Sequence, residues 1–216
     1  MNKLIRLFVV FIVLSISTII LSYLHNSYLN LEDLQIQKTT KTLTKSQLEK
    51  ILEQDKESVY VNFAVITFSV LLKVFAVTFV LFIGSFLYNA KITFIRLFNL
   101  VIKLEFIFLL PIIYEIIYFK FINTGYTLDE VGNFYPLSAL NIIGYKNLEQ
   151  YFIYPFQILN LFELAYIFLL SYYVGKLTFT TKDKPMDFGL KILVSSYVPA
   201  LFLWVAIVMF FTLSYS

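Results

Sequence analysis

The 216-residue chain contains no cysteine and one histidine. The first absence excludes disulfides, thiolate metal sites, a lipoprotein anchor and cysteine nucleophiles together. The second leaves His25 as the one candidate for histidine acid–base chemistry within the chain, and its place at the end of an apolar run reads as a solvated interfacial residue. No Gly-rich phosphate loop, HExxH or GxSxG pattern occurs. Charge is scarce too, at 14% of residues, and the net charge of +3 is spread over several segments, so no nucleic-acid partner is expected. The sequence thus offers no catalytic, cofactor-binding or metal-ligating residue, and the chain is expected not to be an enzyme and to need no cofactor.

Apolar residues dominate instead. They make up 59% of the chain and give a positive mean hydropathy, which marks an all-α, polytopic membrane protein. The 24 Phe and 16 Tyr accompany an excess of Ile, Leu, Lys and Asn, a bias that an AT-rich genome explains, so they indicate no stacking site. A bilayer core of roughly 30 Å takes about 20 apolar residues per helix. Five such runs are present, at about 4–24, 59–87, 104–121, 151–174 and 192–213, predicting five transmembrane helices in a single domain over 1–216. The first follows Lys3 and Arg6 as in a signal peptide, but its length and the lack of a small-residue cleavage site predict a retained anchor.

Basic residues in short loops mark the cytoplasmic side. With the N-terminus inside, the inner segments hold Lys3, Arg6, Lys91, Arg96, Lys103, Lys176, Lys182, Lys184 and Lys191. The longer outer loops hold Lys38, Lys41, Lys45, Lys50, Lys56, Lys120 and Lys146 with most of the acids, including Glu53, Asp55, Asp129 and Glu130. The expected topology is therefore N-terminus cytoplasmic and C-terminus outside. Within the outer loop 25–58, "SQLEKILEQDKES" has the Ser46/Glu49 capping-box spacing and predicts a short helix. "YPLSALNIIGY" predicts a brief interfacial helix outside, and "KITFIRLFNLVIK" an interfacial helix inside.

Ionisable residues inside a span cost roughly 2.5–3.5 kcal/mol at its centre and mark candidate sites. Glu105, close to Lys103 and the inner interface, reads as reaching water. Glu115 lies about 9 Å below the outer edge, one turn beyond Pro111. Proline there frees the carbonyl of Ile107 and predicts a helix kink whose Pro111 and Glu115 side faces protein or a wet crevice. Glu163 lies about 16 Å deep with Asn160 three residues before it, and Lys73 about 20 Å deep on a stripe with Asn62 and Ser69. The predicted intramembrane polar network is thus Lys73, Glu163, Asn160, Glu115, Asn62 and Ser69, with an ion pair between Lys73 and Glu163 feasible. Three roles compete for that pair: a bridge that fixes helix packing, a proton or ion relay, or two groups solvated independently with Lys73 snorkelling and Glu163 protonated. An internal duplication with paired Gly/Pro-broken helices, common in secondary transporters, is not visible.

Three further stretches, "ITFIRLFNLVIKLEFIFLLP", "LSALNIIGYKNLEQYFIYPFQILNLFELAYIFLLSYYVGKL" and "ILVSSYVPALFLWVAIVMFF", resemble in order and spacing the bacterial members of the Yip1 family, over about residues 59–213. The resemblance implies five membrane helices with a cytoplasmic N-terminus and no catalytic residues. The chain departs from the eukaryotic pattern in its short pre-membrane segment and in lacking the Asp-Leu-Tyr-Gly-Pro type motif. The expected function is a non-enzymatic accessory or scaffold subunit of a larger bacterial inner-membrane assembly, in secretion, insertion or export, with membrane lipid and other integral membrane proteins as partners. The alternative is a small ion- or proton-coupled transporter or channel that uses the buried charges.

Overall fold

The computed structural model describes residues 3–39, 59–146, 148–178 and 184–215. The described chain is all-helical, with no strand beyond one isolated bridge between Ser138 and Asn160. Among the described residues, four helical stretches are long and apolar enough to cross a membrane: Leu4–Tyr28, Val61–Leu87, Leu161–Thr178 and Pro185–Ser214. Large apolar side chains point outward along them, among them Phe8, Phe68, Phe86, Phe202 and Phe210. Such an apolar exterior suits lipid and would be a liability in water.

Helix α1 (Lys3–Tyr28) stops where Asn30 adopts positive φ, and α2 (Leu31–Thr39) follows with Glu32 and Asp33 in its first turn, where the helix dipole favours acids. Helix α3 (Val59–Leu87) ends in the same way, with Asn89 at φ 53. The short helix predicted over 46–58 lies outside the described residues.

The third apolar run differs from its predicted bounds of 104–121. Helix begins earlier, at α4 (Phe94–Leu104), tightens into a 3-10 turn over Glu105–Phe108, resumes as α5 (Leu109–Ile117), and widens into a π-turn over Tyr118–Ile122. The physical reason for the tight turn is Pro111, which is buried: its ring collides with the carbonyl of Ile107 and it supplies no N–H to that carbonyl. The "KITFIRLFNLVIK" stretch forms α4, which packs one face on the bundle. Leu97, Val101 and Ile102 of α4 are fully buried against the bundle.

Beyond α6 (Leu128–Asn133) and α7 (Ala139–Ile143), the predicted continuous helix over 151–174 is two helices, α8 (Gln150–Ile158) and α9 (Leu161–Thr178). The last run likewise starts at Pro185 rather than 192, as α10 (Pro185–Ser195) and α11 (Tyr197–Tyr215) with a break at Ser196. Helices α9 and α10 pack as a close hairpin. A Cβ on Gly175 would run into the Pro185 carbonyl, and one on Gly189 into the Ser171 carbonyl, so the missing side chains are what let the two backbones touch.

Two apolar clusters result. The larger joins Leu14 of α1, Val74 and Leu81 of α3, Leu97 and Val101 of α4, Tyr166 and Leu170 of α9, and Ile192 of α10. The smaller, Leu29, Phe119 and Val131, sits at the end of the bundle where α1 and the π-turn finish. There the Tyr126 hydroxyl donates to the Leu29 carbonyl at 3.1 Å, and Lys38 of α2 pairs with Asp129 of α6 at 2.7 Å.

Candidate functional site

The ionisable residues of the apolar segments are not scattered. Glu105 continues the buried stripe of α4 at four-residue spacing after Leu97 and Val101, so its carboxylate enters the bundle at 6% exposure. This corrects the expectation that it reaches water. One carboxylate oxygen takes the Lys73 ammonium at 2.8 Å, and the other accepts the Tyr166 hydroxyl at 2.6 Å. The ammonium also lies 3.3 Å from the centroid of the Phe108 ring, a cation–π contact that further offsets its removal from water. Lys73 therefore pairs with Glu105, and the Lys73–Glu163 contact considered from depth alone does not form. Asn62 and Ser69 are exposed on α3, so the polar stripe predicted there lies at the surface and meets the network at its Lys73 end.

Glu163 has a different environment. It stands in the first turn of α9 instead of mid-helix, because Asn160 breaks the run and acts as the cap: the Asn160 side-chain oxygen accepts the Glu163 N–H at 2.8 Å. The Asn160 amide donates to the carbonyls of Gln157 and Ile158 at the end of α8. The segment before α7 completes the junction, with Leu161 N–H donating to Leu137 O at 3.1 Å and Ala139 N–H to Leu159 O at 2.8 Å. Leu137 holds φ at 56, a conformation that costs a residue with a Cβ roughly 1–2 kcal/mol. The Glu163 carboxylate itself accepts the Tyr197 hydroxyl at 2.6 Å. Tyr166 and Tyr197 are both buried, and their rings meet edge to face at 6.0 Å, so the two acids are separated by a pair of tyrosines.

A second contact between ionisable side chains lies toward the other end of α5. Nε2 of His25 is 3.2 Å from Glu115, and both side chains are largely buried. His25 is thus a packing partner of α5 and not the solvated interfacial residue expected from its position. Pro111 and Glu115 do turn toward protein: Pro111 is buried, and Glu115 reaches α1.

Beside the α8/α9 break opens a cavity of about 1030 Å³. Leu161, Leu164 and Ile167 of α9 and Val198, Leu201 and Val205 of α11 give it an apolar wall. Asn123, Asn133, Ser138 and Asn141 supply polar groups toward the α6 and α7 end, and Glu163 and Glu130 also line it. The cavity has no counterpart in the sequence reading, because its walls come from four separate stretches of chain. Glu105 was legible in principle from the Leu97, Val101, Glu105 spacing. No known protein family, curated protein or solved structure matches this chain.

Proposed function

We propose that this chain is a non-enzymatic membrane scaffold or accessory subunit, crossing the bilayer five times, whose internal charges hold its helices in place. The observation that carries this reading is that the side chain–side chain contacts of the buried acids Glu105, Glu115 and Glu163 join elements distant in sequence. Lys73 to Glu105 ties α3 to the α4 end, Glu105 to Tyr166 ties that to α9, Glu163 to Tyr197 ties α9 to α11, and His25 to Glu115 ties α1 to α5. Polar side chains commonly act between membrane helices in this way, at about 0.6–2 kcal/mol per hydrogen bond.

The fifth crossing is the interrupted run from Phe94 to Ile122. It packs along α1, and its end meets the end of α1 through Phe119, Leu29 and the Lys120 ammonium 3.9 Å from the Tyr28 ring centroid. At the opposite end, Tyr88 of α3 touches Phe188 of α10. These contacts support a topology with 29–39 and 123–149 outside and 88–93 inside. The chain lacks cysteine, so single cysteines are clean reporters. A cysteine at Asp33 or Asn133 is expected to react with an impermeant maleimide in intact cells, and one at Lys91 after lysis only. Reaction of the Lys91 position in intact cells would overturn the topology.

The sequence resemblance to bacterial Yip1-like proteins supports reading the larger assembly as an inner-membrane one concerned with secretion, insertion or export. Purification from native membranes in mild detergent is expected to recover other integral membrane proteins in fixed proportion. Recovery of this chain alone at native abundance counts against the reading.

The broken α8/α9 helix and the cavity reaching Glu163 favour a second reading, a small coupled transporter, since interrupted helices are a common setting for substrate and ion sites. Glu163→Gln separates the two. A scaffold loses thermal stability together with Tyr197→Phe, whereas a transporter loses flux in proteoliposomes while its melting temperature holds.

A further inference from the structure

The cavity at the α8/α9 break combines three properties that together specify a ligand. Its volume of about 1030 Å³ lies at the upper end of organic-ligand sites, roughly 300–1,000 Å³, whereas one water molecule takes about 30 Å³ of liquid. A bare ion leaves such a space almost empty. Its long wall is aliphatic, formed by residues three or four apart on two neighbouring helices, so it presents a surface suited to a hydrocarbon chain.

The third property is charge. Glu163 and Glu130 line the space, and none of its lining residues is Lys, Arg or His. Glu163 is 8% exposed, and Tyr197 takes one of its two oxygens. The Oε2 atom accepts no hydrogen bond from the described residues, and an ammonium group brought to it would supply one with opposite charge. The backbone donors at the start of α9 do not make the site anion-seeking, because Leu137 O and the Asn160 side chain already engage those of Leu161 and Glu163. A zwitterionic phospholipid fits poorly, since its phosphate would find no cation on this lining.

We infer that this cavity is a binding site for one cationic amphiphile, its ammonium head at Glu163 and its chain against α9 and α11. Tyr114, Tyr118 and Phe134 lie on the same lining and add aromatic faces that attract a cation. The site does not depend on the scaffold reading, and binding is measured without reference to any partner protein.

The test uses the full chain in phosphatidylcholine nanodiscs, with dodecylammonium as the probe and equilibrium dialysis against empty discs. The expected result is one saturable site per chain, with dodecyl sulfate and propylammonium binding at least tenfold more weakly. Glu163→Gln is expected to weaken dodecylammonium binding at least tenfold, with circular dichroism confirming the fold. Leu164→Trp fills part of the space along the aliphatic wall from a half-exposed position and replaces neither acid. It is expected to abolish uptake, and it decides the matter if the Glu163 variant does not fold. Equal binding of the sulfate or of propylammonium, unchanged binding in folded Glu163→Gln or Leu164→Trp, or no uptake above empty discs would each overturn the inference.

Discussion

Glu105→Ala is expected to destabilise the protein by about 2–4 kcal/mol, the largest effect of any single charge removal in the bundle. A fully buried pair broken on one side costs about 3–5 kcal/mol, because the surviving charge is stranded. Here the survivor is Lys73, whose side chain is 44% exposed and can swing toward a polar boundary, which lowers the figure. The buried Tyr166 hydroxyl also loses its acceptor, which holds the figure up. Lys73→Met is expected to restore much of the loss, since removing both partners leaves neither stranded. A double-mutant cycle read by unfolding in mixed micelles checks this. Strong coupling of Lys73 to Glu105 and weaker coupling to Glu163 is the expected pattern, and the reverse pattern refutes the arrangement.

Gly189→Ala is the second large effect, and its sign is what makes it informative. Replacing glycine by alanine inside a helix ordinarily stabilises by up to about 1 kcal/mol. At Gly189 the new methyl would meet the Ser171 carbonyl and the Gly175 nitrogen, backbone atoms with no rotamer to move aside. The α9/α10 hairpin must then open, at an expected cost of about 3 kcal/mol or more. Gly132→Ala is the control: it lies in α6 with no atom within 4 Å of the added carbon, and is expected to be neutral or slightly stabilising. A fall in melting temperature for Gly189→Ala with none for Gly132→Ala supports the close packing. Equal behaviour of the two would contradict it.

Hydropathy found the apolar helices because a bilayer demands length and composition, both of which are local. It missed their interruptions for an equally physical reason. The break at Asn160 survives because the backbone groups it frees find Leu137, Ala139 and the Asn160 side chain, and Leu137 and Ala139 lie more than twenty residues away in the chain. An unbroken helix needs no such distant partner, so the simplest local reading was one helix. Pro111 was legible as a disturbance, and the structure expresses it as a 3-10 turn just ahead of the proline.

The charges show the same division. Depth along a helix indicated that Lys73, Glu115 and Glu163 needed partners, yet depth carries no azimuth. Nearness to Lys103 points Glu105 toward water, whereas four-residue spacing from Val101 puts it on the buried face. Chain position puts His25 at the end of an apolar run, while its neighbour is decided by α1 lying beside α5.

The sequence by itself determined that this is an apolar, helical, cysteine-free chain with charges too deep to be left unsatisfied, because those properties follow from residue chemistry and spacing along one helix. Only the tertiary structure decided which charge meets which and that Glu163 lines a cavity. Those facts depend on how the helices rotate and cross, and Gly175 and Gly189 set that for α9 and α10 by how closely they let two backbones approach.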